Sequence, residues 1–244
     1  MKQIEQYEEK KKEMKQAYDA AVSIYEENRV TWKAFPLTPE GEAEKKRFSI
    51  RTGYTPSRRP KTPAMEAFER LRGIWSFSNE WPNSKEEIRL RENILLSPDA
   101  PEWAYHVSAL DGKPWIEAEQ IIANDAWWAF EYAQDVVGRG NETIEKGVLQ
   151  NPKYTYLYAR FVVKGQFLQG EEVISKDPRA SMLYAQKVMG SRFIPGESAI
   201  LDTEINQNSS PSVQDMATEY RQWCHKIGTP IGQSSSTVEA GGQS

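Results

Sequence analysis

The chain has 244 residues, 27% of them charged and 11% aromatic, with a formal net charge of −4. That length allows one or two domains with a substantial core. The composition excludes a disordered polymer, and no apolar run is long enough to span a bilayer. The single cysteine, Cys224, excludes an internal disulfide and a multi-cysteine zinc site, so a reducing interior such as bacterial cytoplasm is the default compartment.

Charge is spread unevenly. Residues 1–62 carry 14 Lys and Arg against 10 Asp and Glu, a balance of +4, while the remainder carries 17 against 25, a balance of −8. A basic front and an acidic remainder suggest two surfaces and two partners.

The start of the chain carries no signal-peptide pattern. Residues 3–28 contain neither Pro nor Gly and are rich in Glu and Lys, which predicts one long helix. Ile4, Tyr7, Lys11, Met14, Tyr18, Ala21 and Tyr25 alternate spacings of three and four, a heptad seam. Such a seam serves a coiled coil, hence a homo-oligomer, or an arm packed along another helix. Residues 31–62 read as an irregular, basic, Pro-rich linker, with a brief helix from Thr38-Pro39 through Arg47. Within it Arg51, Arg58, Arg59 and Lys61 are the residues that would meet a phosphate backbone. The overall negative charge argues against a dedicated nucleic-acid binder.

Thr62-Pro63 opens the next predicted helix, with Met65, Phe68, Leu71 and Trp75 as its apolar stripe. Ser84 and Glu87 form a capping-box signature for another, with Ile88, Arg91 and Leu95 on one side. Glu92-Asn-Ile-Leu95 echoes a signature met again below, so this pair is expected to cap the front of a repeat array.

From about residue 99 to 201 the chain repeats with a period of 26. Tyr132-Ala-Gln-Asp-Val136, Tyr158-Ala-Arg-Phe-Val162 and Tyr184-Ala-Gln-Lys-Val188 share one register, and His106-Val-Ser-Ala-Leu110 is a weaker first copy. Each copy continues with an E-x-x-aliphatic signature: Glu119 to Ile122, Glu145 to Val148, Glu171 to Ile174 and Glu197 to Ile200. Asn151-Pro152 and Asp177-Pro178 place a capping oxygen before a proline at the first helical position. Ala129, Tyr132, Ala133, Val136 and Val137 then line one helical face, and glycine closes the helix at Gly112, Gly138 and Gly190. Phe167, Gly170, Glu171 and Ile174 mark a shorter second helix. Trp115 fills its aromatic column in the first copy, and Asn141 interrupts the column in the second. A unit this short cannot bury its apolar face alone, so neighbours must stack. The expected fold is all-α: a short α-solenoid of 26-residue helix-pair repeats with helical caps and a long N-terminal helix.

After Leu201 the pattern fails. Glu204 to Ser212 reads as a polar loop, followed by a helix with Val213, Met216, Ala217, Tyr220 and Cys224 on one face, suited to shield the rear of the array. The Gly/Ser/Gln-rich stretch 228–244 is expected to be disordered. The expected organisation is therefore helix 1–30, linker 31–62, repeat domain 63–227 with repeats over about 99–201, and tail 228–244.

The fourth copy, Asp177-Pro-Arg-Ala-Ser-Met-Leu-Tyr-Ala-Gln-Lys-Val-Met-Gly-Ser-Arg-Phe-Ile-Pro-Gly-Glu-Ser-Ala-Ile200, resembles the short tandem helical repeats of proteins from large DNA bacteriophages and giant viruses. The likeness covers under half of the chain. It implies a viral origin and an interaction scaffold, placed in the host cytoplasm or alternatively in the virion. It implies no one activity.

Chemistry is sparse. Glu119, Glu145, Glu171 and Glu197 form a carboxylate column that could hold a cation or serve acid–base work. Fourfold recurrence favours a structural role instead, in which each Glu accepts hydrogen bonds from a tyrosine hydroxyl or free N–H groups. His106 stands in the tyrosine column, and Cys224 and His225 are helix neighbours pointing about 100° apart, unsuited to a nucleophile–base pair. No nucleotide-binding loop or metalloprotease motif is present. The expectation is thus no enzyme, no catalytic, cofactor or metal residues, no membrane, and a protein partner of host or phage origin. Trp103, Trp127, Trp128 and Tyr154 are the candidate contact residues, since surplus Trp and Tyr mark binding hot spots. A virion or assembly component is the alternative role, and a nucleic-acid accessory a weaker one.

Overall fold

The computed structural model describes residues 2–56, 59–78, 85–202 and 211–231. Among these the fold is all-α, with no strand. The chain divides into two compact units, Met1–Ile121 and Ile122–Ser244.

The first unit opens with α1 (Lys2–Ala34), which runs six residues past the expected end at 28 because no breaker precedes Pro36. Its end is held by aromatic packing. Tyr25 and Trp32 lie 5.2 and 6.4 Å from the Tyr54 ring, and Phe35 lies 5.7 Å from Phe48. The Tyr25 hydroxyl donates to the Pro56 carbonyl at 2.7 Å. Tyr25 therefore serves the arm-packing use of the heptad seam. Lys11 and Ala21 are exposed, and the side chains of Ile4 and Tyr7 lie outside the described residues.

α2 (Pro39–Thr52) corrects the expected linker. Thr38 caps it through Gly41 N–H, and nothing interrupts it until Gly53 adopts φ 70° at its end. The helix thus runs past Arg47 and carries Arg51 on its last turn. Lys45 is buried on its inner face, paired with Glu42 at 2.7 Å and set 4.8 Å over the Trp32 ring.

α3 (Pro63–Ser78), α4 (Lys85–Leu96) and α5 (Ala100–Asp111) pack on one another. Ala64, Ala67 and Leu71 form the buried stripe of α3; the Trp75 side chain and Ser84 lie outside the described residues. On α4 the buried positions are Leu90, Ile94 and Leu96, whereas Ile88 is 58% exposed, against its expected place on the inner side. Arg91 does face inward, 4.9 Å over the Trp115 ring. α6 (Ile116–Ile122) ends where the second unit begins.

In the second unit, helix pairs follow in a row. α7 (Ala126–Tyr132) packs on α8 (Glu142–Val148), α9 (Pro152–Tyr158) on α10 (Leu168–Ile174), and α11 (Pro178–Tyr184) on α12 (Ile194–Leu201). The first helices also pack successively on each other, and α13 (Pro211–Lys226) packs on α11 and α12. Equivalent columns are equivalently buried: Tyr132, Tyr158 and Tyr184, the alanines after them, and Val148, Ile174 and Ile200 are all fully enclosed. Asp125, Asn151 and Asp177 cap their helices as the sequence predicts, each accepting from N–H groups two or three residues on.

Two features depart from expectation. Each first helix winds on as a π-helical turn, Ala133–Val137, Ala159–Val163 and Ala185–Met189, where an α-helical face was predicted. The carbonyls of Ala133, Ala159 and Ala185 accept from the N–H five residues on, a spacing that fits one extra residue before the turn. The 26-residue period ends after Leu201 as expected, but the tyrosine–carboxylate tie continues onto α13, whose expected face is buried. Met216, Ala217, Tyr220 and Cys224 are buried on α13, and Tyr220 takes the place of the tyrosine column. Of the expected polar loop, residues 203–210 lie outside the described residues, as do the Val213 side chain and residues 232–244. Among the described residues no helix is long and apolar enough to cross a membrane.

Candidate functional site

The recurring carboxylates of the second unit meet tyrosine hydroxyls. Tyr158 donates its hydroxyl proton to Glu145 at 2.6 Å, Tyr184 to Glu171 at 3.0 Å and Tyr220 to Glu197 at 3.2 Å. Each bond joins a second helix to the next first helix. In two copies the hydroxyl also accepts a backbone N–H, from Phe167 at 2.9 Å and from Phe193 at 3.3 Å. Those phenylalanine rings in turn pack 5.1 and 5.0 Å from Tyr158 and Tyr184.

Burial, with the adjoining carboxylate assisting, raises all three hydroxyls above the usual phenol range. The Phe167 N–H opposes this at Tyr184, which is pushed up to about 12. Glu145 further accepts Gly140 N–H, and Glu197 is gripped by both arms of Arg192 at 2.6 Å. The column is thus a set of ties between helix pairs. Among the described residues no His, Cys, Asp and Glu cluster could hold a metal ion. Burial also raises the Cys224 thiol, which disfavours the reactive thiolate.

The aromatic candidates fall into two groups. In the second unit, Trp127 lies 6.2 Å from Trp128, 6.0 Å from Phe130 and 5.5 Å from Tyr154. Trp127 is 37% exposed, while Trp128 and Tyr154 are half-buried. The double cap by Asp125 brings Trp127 and Trp128 together, since its carboxylate accepts both their N–H groups. Trp103 belongs to the first unit, half-buried against Phe68 and His106, with its indole N–H on Asp99 at 2.8 Å.

The basic candidates do not form one strip. Arg51 rides on α2 with its guanidinium 5.8 Å over the Phe48 ring, and Arg58 lies outside the described residues. Arg59 and Lys61 line a groove with Tyr18, Trp103, Asp99 and Glu102, so the cations face carboxylates there. Lys61 is also ion-paired with Glu69.

Sequence reasoning missed a groove of about 370 Å³ between α9 and α11, lined by Tyr156, Leu157, Ala180 and Leu183 with Lys153, Arg179 and Asp177 at its edge. Its signal was present: Lys153 and Arg179 occupy one repeat column, and so do Leu157 and Leu183. Apolar columns at the interior spacing drew the reading inward instead.

No family model, no curated protein and no solved structure matches this chain.

Proposed function

We propose that the chain is a non-enzymatic, phage-encoded scaffold that binds a host or phage protein through the outer surface of its stacked helices. The supporting observation is a division of labour between columns. The recurring carboxylates end in tyrosine hydroxyls of the next helix pair, whereas other recurring positions put apolar side chains in water. Leu168 and Ile194, equivalent in register, are 71% and 62% exposed, and Phe161 and Trp127 are 43% and 37% exposed. Exposed apolar and aromatic side chains beside a rigid frame are what a binding surface offers. The phage origin rests on the repeat resemblance.

The test is an affinity pull-down from bacterial host lysate with the full chain, comparing wild type with a Trp127→Ala, Trp128→Ala double variant shown by circular dichroism to be folded. A specific partner, captured severalfold less by the variant, is the expected result. Undiminished capture discards the aromatic contact, and reproducible absence of any partner discards the scaffold. A second reading, an assembly component, draws on α1, where Ile24 and Val30 are 60% and 67% exposed on a helix long enough to reach a neighbouring subunit. It requires copies of the chain in purified particles.

A further inference from the structure

The scaffold reading leaves the partner's chemistry open, and the outer side of α9 and α11 narrows it. Tyr156 and Ala180 are buried in the groove floor, and Leu157 and Leu183 are half-buried along it. Lys153 and Arg179 stand at its edge, one period apart. Arg160 reaches the groove floor by donating to the Tyr156 hydroxyl at 2.7 Å, and Lys187 stands on the turn that continues α11 four residues beyond Leu183.

All four cations are exposed, and among the described residues none is ion-paired with a carboxylate. By contrast, Lys146 on α8 and Lys176 just past α10 are matched by Glu142 and Glu172. The one carboxylate at the groove, Asp177, is engaged in capping through Ala180 N–H at 2.7 Å. In the preceding copy the corresponding positions carry Trp127, Glu131 and Asp135, so the cationic strip is two helices wide and stops there. Lys153 and Arg160 lie over the rings of Tyr154 and Phe161 but meet no carboxylate, and a positive strip without one on a chain of net charge −4 calls for a negative occupant.

We propose that the groove between α9 and α11 docks an acidic amphipathic peptide segment of a partner protein. This rests on the scaffold reading and specifies its surface. Aliphatic side chains of the segment enter between Leu157 and Leu183, as in helix-in-groove recognition, and its carboxylates meet Lys153, Arg160, Arg179 and Lys187. Nucleic acid fits the same strip less well. Its bases need open aromatic faces inside the groove for stacking, yet the aromatic ring that lines it, Tyr156, is only 3% exposed and its hydroxyl is taken by Arg160 at 2.7 Å.

The experiment is fluorescence anisotropy on the full chain with a labelled peptide of glutamate and leucine, about four helical turns long with leucines on one side. A lysine-for-glutamate peptide, a serine-for-leucine peptide and a single-stranded oligonucleotide complete the set. Saturable binding of the glutamate–leucine peptide is expected, weakened by salt. Lys153→Glu with Arg179→Glu should lower that affinity at least about tenfold. Lys146→Glu, on α8 and outside the groove lining, should leave it unchanged. The charge reversal keeps the fold because an acidic residue in the first turn favours a helix.

No binding of the peptide, equal binding of the lysine or serine version, or indifference to the Lys153 and Arg179 changes would overturn the proposal. Tighter binding of the oligonucleotide would hand the strip to nucleic acid. A lysate partner held equally by wild type and charge-reversed chain would remove this groove while leaving the scaffold standing.

Discussion

Lys164 is the one described non-glycine residue with positive φ, at 57°. The register explains it: Gly112 and Gly190 hold the equivalent position at φ 67° and 66°. The left-handed conformation brings Cβ against the following carbonyl, which glycine avoids and lysine does not. Lys164 is exposed, so its side chain has little packing to lose. Lys164→Gly should therefore raise stability by about 0.5–1 kcal/mol, the relieved strain exceeding glycine's larger unfolded-state entropy. Thermal melting of this variant beside Lys164→Ala separates the causes. Only the glycine variant should melt higher, because alanine keeps Cβ; a matching rise for both would assign the effect to lost charge.

At the scale of elements, helix pairs close up through complementary sizes. A Cβ on Gly170 would come within 2.5 Å of Thr155 Cγ2, and one on Gly196 within 2.3 Å of Ser181 Oγ. In the preceding pair the sizes reverse: Ala129 stands in the Thr155 column, and Ile144, fully buried, stands in the Gly170 column. That reversal also offsets the interruption of the aromatic column at Asn141, which caps α8 through Ile144 N–H instead. Gly170→Ala should cost about 1–3 kcal/mol by overpacking. Thr155→Ala should recover part of that in the double variant, despite losing the threonine's own bond to the Val148 carbonyl at 3.0 Å. Denaturant melts of the four-member cycle measure the coupling, and strict additivity would reject the size match.

Much of this was legible in the sequence because a fixed period lets several copies vote on each column. Tyr158 and Ile174 are each read three times over and Gly170 twice, and the glutamate–tyrosine tie follows from paired recurrence. The π-helical turns were not legible, since Ala133 to Val137 fits an α-helical face equally well on spacing alone. α13 was expected from its apolar face, but its tie to Glu197 was missed because the residues after Leu201 break the count, although Ala217 and Tyr220 keep the spacing of Ser181 and Tyr184. α2 was cut short because basic composition was read as linker, whereas Phe48 and Tyr54 are buried by aromatic packing from α1.

For the molecule as a whole, the two units are built on different principles, aromatic packing of Tyr25, Trp32 and Tyr54 in the first and repeated tyrosine–carboxylate ties in the second. Those ties make the second unit sensitive to alkali, and burial raises the Tyr54 hydroxyl of the first unit as well. Tyr158, Tyr184 and Tyr220 are fully buried, and each has its proton held more tightly folded than unfolded. Above pH ~10, the ordinary phenol value, the unfolded chain releases protons that the native chain keeps. Stability is then whole below pH ~10 and falls as pH rises, by about 1.4 kcal/mol per pH unit for each such tyrosine until its native value is passed. Far-UV circular dichroism and tyrosinate absorption, followed together from neutral pH to pH ~12, should show exposed tyrosines titrating first without loss of helix. The buried set should then titrate only as helix is lost. Tyr184→Phe removes one tie and should cost about 1.5–3 kcal/mol at neutral pH, since Glu171 loses a donor and Phe167 N–H an acceptor. Its deficit relative to wild type should shrink as pH climbs toward about 12, where Tyr184 itself gives up its proton. A deficit constant with pH, or full tyrosinate absorption with helix intact, would mean these hydroxyls do not hold the helix pairs together.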